Sequence, residues 1–139
     1  MGEPFHEVQT AKWRGVEKRD TLYSEAGYEW RGIILGMQEG KVVVEEDFFG
    51  KRTVNRIRVE SPRFRTPLEV RVGDAAELLK ARPFTWHLEV IPHYDRLDIF
   101  AEEFPSFHFL LPWTGDTTNL RPALSEVEGN IPIVGIVIM

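Results

Sequence analysis

His87, Glu89, His93, Asp95 and His108 are the side chains whose types and spacing most resemble a metal-ligand set. Imidazole nitrogens with carboxylate oxygens suit Zn²⁺ or Fe²⁺. His87 and Glu89 stand two residues apart, on one face of any strand that holds them, and a turn can return His93 and Asp95 toward them. A centre built on His87, His93 and His108 would make the chain a small metal-dependent enzyme. The competing reading sets these residues on the wet side of a sheet whose dry side holds Phe84, Trp86, Leu88 and Val90. No HExxH-type spacing fixes the ligands, so the second reading is preferred and no cofactor is expected.

Other chemistry is weaker still. Glu45, Glu46 and Asp47, and likewise Glu102 and Glu103, are carboxylates in sequence contact. An acid/base pair needs environments that split its pKa values, and neighbours on a strand point to opposite faces. Ser61, Ser106 and Ser125 have no nucleophile-elbow context, and no glycine-rich phosphate loop is present. Catalysis is therefore not the expected activity.

Binding is better represented. Between Lys51 and Arg65 lie Lys51, Arg52, Arg56, Arg58, Arg63 and Arg65 against one acid, Glu60, in a chain whose formal net charge is -5. On a strand Arg56 and Arg58 project from one face, and with Arg63, Phe64 and Arg65 they form a candidate surface for an acidic protein or a small ligand. The bland alternative is a wet sheet face neutralised by Glu45, Glu46 or Glu69 on neighbouring segments. Trp30, Trp86, Phe100, Phe107, Phe109 and Trp113 would line an apolar cup or fill a core, and core is the default for large aromatics.

Composition sets the outer limits. A chain of 139 residues, 42% hydrophobic, is about one domain long. The acidic balance disfavours nucleic acid, and the absence of cysteine removes disulfides and thiolate chemistry. Met1 to His6 lacks a basic segment followed by an apolar one, so the chain reads as cytoplasmic, or as periplasmic or exported if a signal segment has been removed. The longest apolar run, Ile131 to Met139, is far short of the ~20 residues of a membrane span and reads as a buried strand.

The elements that must position these residues are mostly strands. Tyr28 to Met37 and Lys41 to Glu46 form a hairpin about a glycine-containing turn, with Gly32 and Gly36 on the same side as Tyr28, Trp30 and Ile34. A link over residues 47–52 leads to a third strand, Thr53 to Glu60. Leu68, Val70 and Val72 alternate with Glu69 and Arg71 as a short strand, and Gly73 turns it into a helix. Asp74 with Glu77 forms an acidic version of the capping box. Three meandering strands follow, Phe84 to Ile91, Asp95 to Ala101 and Phe107 to Leu111, and Trp13 is expected to anchor the segment from Val8 to Val16.

The run Val59-Glu60-Ser61-Pro62-Arg63-Phe64-Arg65-Thr66-Pro67-Leu68-Glu69-Val70-Arg71-Val72-Gly73-Asp74, with Ser106-Phe107-His108-Phe109-Leu110-Leu111 later, resembles a pattern of small uncharacterised bacterial α+β proteins, often exported or lipid-anchored. This chain departs from the pattern at Glu69, where glycine is usual. The resemblance carries no catalytic residues and implies a non-enzymatic role. The expected fold is thus α+β in a single domain, 1–139: a mostly antiparallel twisted β-sheet with one principal short helix, about 74–82, packed on it. The N-terminus, about 1–7, is expected to fray and the stretch about 113–130 to form a mobile loop. The expected function is a non-catalytic domain that binds a protein or a small apolar ligand through a sheet face or edge.

Overall fold

The computed structural model describes residues 1–47 and 49–139; Phe48, in the expected link, lies outside the described residues. Backbone contacts divide the chain into two compact units, Met1–Ser61 with Met139, and Pro62–Ile138. Both are built mainly of antiparallel strands, and among the described residues the α-helices are only α1, Phe5–Thr10, and α2, Ala76–Lys80. No helix among them is long and apolar enough to cross a membrane.

The first unit is a four-strand meander: β1 (Glu17–Glu25), β2 (Tyr28–Met37), β3 (Gly40–Glu46) and β4 (Val54–Glu60). Two-residue alternation sends Ile33, Val42, Val44 and Val59 to one buried face. Tyr28, Trp30, Glu45, Arg56 and Arg58 share the other face, joined by the fully buried Val43. The expected hairpin is present, and β1 is an addition to it. The sequence of β1 hides it, because as the outer strand it exposes most residues of both faces and shows no apolar alternation.

The β1–β2 turn places Ala26 at φ 50° and Gly27 at φ 84°, the double positive φ that a type I′ hairpin requires. Alanine pays a Cβ penalty there that asparagine largely avoids. Ala26→Asn should therefore raise stability by about 1 kcal/mol, read as a higher urea midpoint at unchanged m value. No gain would mean that the turn adopts another geometry in solution.

The N-terminal segment, expected to fray, makes three backbone hydrogen bonds to residues 52–54. Gly2 N–H donates to Val54 O at 2.8 Å, Val54 N–H to Glu3 O at 2.8 Å and Phe5 N–H to Arg52 O at 2.9 Å. Phe5 is buried, whereas Trp13, the expected anchor, is 45% exposed. Burial of the Phe5 ring accompanies these bonds, and Trp13, expected to anchor Val8–Val16, leaves nearly half of its surface exposed.

The second unit holds β5 (Trp86–Ile91), β6 (Arg96–Ala101), β7 (Phe107–Pro112) and β8 (Gly135–Ile138) in a second antiparallel meander. Leu88, Val90, Leu97, Ile99, Phe109 and Leu111 make its dry face. Three consecutive buried residues in β8, Ile136 between Gly135 and Val137, agree with a strand covered on both faces.

The stretch expected to be a strand and a well-capped helix is corrected on both counts. Thr66–Val70 closes on itself: Glu69 N–H donates to Thr66 O at 2.9 Å, Thr66 N–H to Val70 O at 3.1 Å, and Glu69 sits at φ 57°. A left-handed position is one that glycine takes without a Cβ penalty and a glutamate takes only at a cost. Leu68 and Val70 are buried all the same, through the turn and not through a ladder. The helix shrinks to five residues, shorter than α1, so it is not the principal helix. Asp74 does not cap it. Its carboxylate accepts the Arg71 N–H at 2.8 Å, while Ala76 and Glu77 N–H groups donate to Ile131 O and Gly129 O at 2.8 and 2.9 Å. The apolar run at 131–139 thus splits its work: Ile131 and Ile133 tie down residues 73–76, and only Gly135–Ile138 joins the sheet. Within the expected mobile loop, Val127 is buried, and the Lys80 ammonium donates to its carbonyl.

Candidate functional site

The most developed site in the first unit lies where the β3–β4 ladder changes register. Glu45 pairs with Arg56 but Glu46 pairs with Val54, so Asn55 is an extra residue in β4. Bulges of this kind re-aim side chains and collect at functional places. Around it a concavity of about 320 Å³ is lined by Glu25 and Ala26 at the β1–β2 turn and by Tyr28, Trp30, Glu45, Glu46, Asn55 and Arg56.

The most enclosed residue of the lining is Glu45, only 2% exposed. A buried carboxylate needs a cation and hydrogen bonds to offset its desolvation. Arg56 supplies both, but in a lopsided way. Its Nε–H donates to Oε2 at 2.7 Å and its Nη2 contacts the same Oε2. Oε1, equally buried, accepts no hydrogen bond among the described residues. A fork of two parallel bonds, one to each oxygen, is the usual arginine–carboxylate geometry, and it is not made here. The aromatic wall is fixed from behind: Tyr23 stacks on Trp30 at 5.7 Å between ring centroids. Gly32 makes room for that ring, since a Cβ there would stand 2.5 Å from Tyr23 Cε2.

The basic cluster is not a free cationic surface at β4. Arg56 is engaged by Glu45, Arg58 Nε lies 3.2 Å from Glu60 Oε1, and Lys41 Nζ lies 3.4 Å from Glu60 Oε2. The Arg58 contact is an ion pair by distance without hydrogen-bond geometry, because Nε is buried and has no aligned acceptor. Neutralisation by a neighbouring strand, the bland alternative, describes Arg56, whereas Arg58 pairs within β4 with Glu60, the acid counted in the cluster itself. Arg63, Phe64 and Arg65 are exposed and belong to the second unit.

The candidate histidines are spread over β5, the turn that follows it and β7. His87 and His108 do share the wet face of β5–β7, yet the Phe100 ring stands between them, stacked at 5.0 Å on His87 and 4.6 Å on His108. Each imidazole has its own carboxylate. His87 Nε2 lies 3.2 Å from Glu102 Oε2, and His108 Nδ1 lies 2.8 Å from Asp98 Oδ1. His93 sits in the turn Pro92–Tyr94, beyond the end of β5 and roughly 13 Å of strand from His87. Glu89 is exposed on β5, opposite Asp98, and Asp95 follows the turn at φ 49°. Among the described residues no three His, Asp or Glu side chains gather to hold a metal ion. Beside this face the Glu103 carboxyl is held below its usual pKa, first by its own backbone N–H and then by that of Thr85.

The aromatics likewise divide. Phe109 is core, with Trp86 edge-on to it at 6.4 Å and Phe84 between Trp86 and Phe104. Phe100 belongs to the histidine stack of the second unit, and Trp30 belongs to the first unit. The buried state of Glu45 was the feature sequence reasoning missed. The signal was present in outline: Val43 and Glu45 share a face, flanked on β2 by Trp30 and on β4 by an arginine.

No family model matches the chain, and no curated protein matches it at a significant level. Among solved structures it is similar to the crystal structure of the uncharacterized protein yfeY from Escherichia coli, with a TM-score of 0.71 and 16% sequence identity over 99% of this chain and 88% of that one. At so low an identity the likeness shows a common fold with a bacterial protein and carries no chemistry across.

Proposed function

We propose that the chain is a non-catalytic binding domain whose ligand occupies the concavity at the β3–β4 bulge. The observation that supports this reading is the concavity itself, set at a β-bulge and lined by the rings of Tyr28 and Trp30 beside the Glu45–Arg56 pair. Tyr28 with Trp30 offers apolar surface to a ligand, and Asn55 with Arg56 offers polar groups to orient it. The volume falls at the small end of ligand sites.

The test is an amide-resolved NMR titration of the ¹⁵N-labelled protein against small molecules with neutral, anionic and cationic heads on aliphatic stems. Saturable shifts should converge on Ala26, Tyr28, Trp30, Glu45, Asn55 and Arg56, with every compound recovered unchanged. Shifts scattered over the surface, none at these residues, or chemical conversion of a bound compound would each overturn the reading.

A further inference from the structure

We infer that two copies of this chain pair through β1, antiparallel and edge to edge, about a twofold axis at Leu22. β1 pairs on one side only, with β2, in a register unbroken from Glu17 to Glu25. The two-residue turn at Ala26-Gly27 makes Glu25 and Tyr28 a hydrogen-bonded pair, so alternation turns the N–H and C=O groups of Lys18, Asp20, Leu22 and Ser24 away from β2. Among the described residues no backbone group of another segment bonds to them. Long, straight edges are normally blunted. At β5, the outer strand of the second unit, the chain covers its own edge, where Leu120 O accepts the Val90 N–H at 2.7 Å. β1 has neither proline nor bulge, and its lysine does not guard it, because the Lys18 ammonium donates back to Gln9 O and Ala11 O. Leu22, on the same face as the buried Ile33, is left 63% exposed.

The charges of β1 name the occupant and the register. Outward-facing residues meet only outward-facing residues, so a symmetric antiparallel pair has its axis at one residue of the strand. An axis at Lys18, Arg19 or Asp20 sets that charge against its own copy, and an axis at Thr21 sets Glu17 against Glu25 at both ends. At Tyr23 the pairing shortens and no opposite charges meet. At Leu22 the two exposed leucines meet, Asp20 faces the Ser24 hydroxyl, and Arg19 faces Glu25 on both sides of the axis. A carboxylate has about four acceptor sites, so this ion pair makes no demand that Glu25 be otherwise unengaged. A surface complementary to itself is what a twofold interface requires, and a second copy of this chain supplies it.

Sedimentation equilibrium over about 1 µM to 1 mM protein should show a reversible monomer–dimer exchange with a dissociation constant of about 100 µM or below, as suits a small interface. Over the same range hydrogen exchange at the Leu22 amide should slow as concentration rises, because its N–H gains an acceptor only in the dimer. Arg19→Glu and Glu25→Arg should each weaken the dimer about tenfold by setting like charges opposite each other. Mixing the two variants should restore it, since each copy then offers the charge that the other needs. Leu22→Lys should abolish it. A monomer at every concentration overturns the inference, and so does a dimer that the charge variants leave unweakened or that mixing them fails to restore. Should a variant not fold, exchange at Leu22 in the unaltered protein decides alone, and a rate independent of concentration overturns it.

Discussion

Arg56→Ala is expected to destabilise the protein by about 2–4 kcal/mol, far beyond the ~0–1 kcal/mol of an ordinary surface ion pair. The cause is what the substitution leaves behind. Glu45 is 2% exposed and draws its only hydrogen bonds among the described residues from the Arg56 side chain, so removal strands a charge in a place that water barely reaches. Arg56 itself has a side chain 39% exposed, which sets the loss below the upper limit for wholly buried pairs. Glu45→Gln added to Arg56→Ala should restore about 1–2 kcal/mol, because a neutral amide is cheaper to bury than an unpaired carboxylate. Arg56→Lys should fall between, keeping the charge and losing the fixed planar donors. Urea unfolding of the three variants measures this. A loss under about 0.5 kcal/mol for Arg56→Ala would mean that Glu45 finds water or another donor in solution, and the site would lose its physical basis.

The pairing itself was legible in the sequence, and its burial was not. Counting along β3 and β4 puts Glu45 and Arg56 on wet-looking strand faces, where neutralisation by a neighbour is the natural expectation. Nothing in Val42-Val43-Val44-Glu45-Glu46 says that the first glutamate is enclosed and the second only half so. That depends on the extra residue at Asn55, and a bulge shifts register without changing composition. The same limit hid Phe100 between His87 and His108. Strand periodicity put His87 and Glu89 on one face correctly, but the identity of the residue across from each, Phe100 opposite both histidines, is a property of the ladder.

Local signals failed where a distant segment supplied the partner. Asp74 has the spacing of a cap, yet the carbonyls at 129 and 131 reach the helix N–H groups first, and the carboxylate turns back to Arg71. Leu68, Val70 and Val72 have the alternation of a strand, yet Glu69 takes a left-handed conformation no strand tolerates. The hairpins of β2–β3 and β5–β7 were readable because their turns are short and their partners adjacent in sequence.

Gly40→Ala should cost about 2–4 kcal/mol, an unusual penalty for the addition of one methyl group to an exposed residue. Gly40 opens β3 directly after the two-residue Gln38-Glu39 turn, at φ 124°, a region closed to side chains of L residues. Space is the second obstacle. A Cβ at this position would stand 2.3 Å from Glu60 O and 3.1 Å from Ser61 Cα, and both are backbone atoms that no rotamer change can move aside. The chain must therefore either separate β3 from the end of β4 or shift register, and a one-residue slip would send Glu45 to the opposite face. Gly36→Ala is the matched control on the neighbouring strand: its Cβ meets nothing nearer than 3.7 Å, an ordinary contact, and should change stability by less than about 1 kcal/mol. Urea midpoints compare the two, and amide shifts of Glu45 and Arg56 report whether the damage travels along β3 to the bulge. If Gly40→Ala proves as mild as Gly36→Ala, then β4 does not close over the start of β3 in solution, and the register that holds Glu45 beside Arg56 is set by something other than this contact.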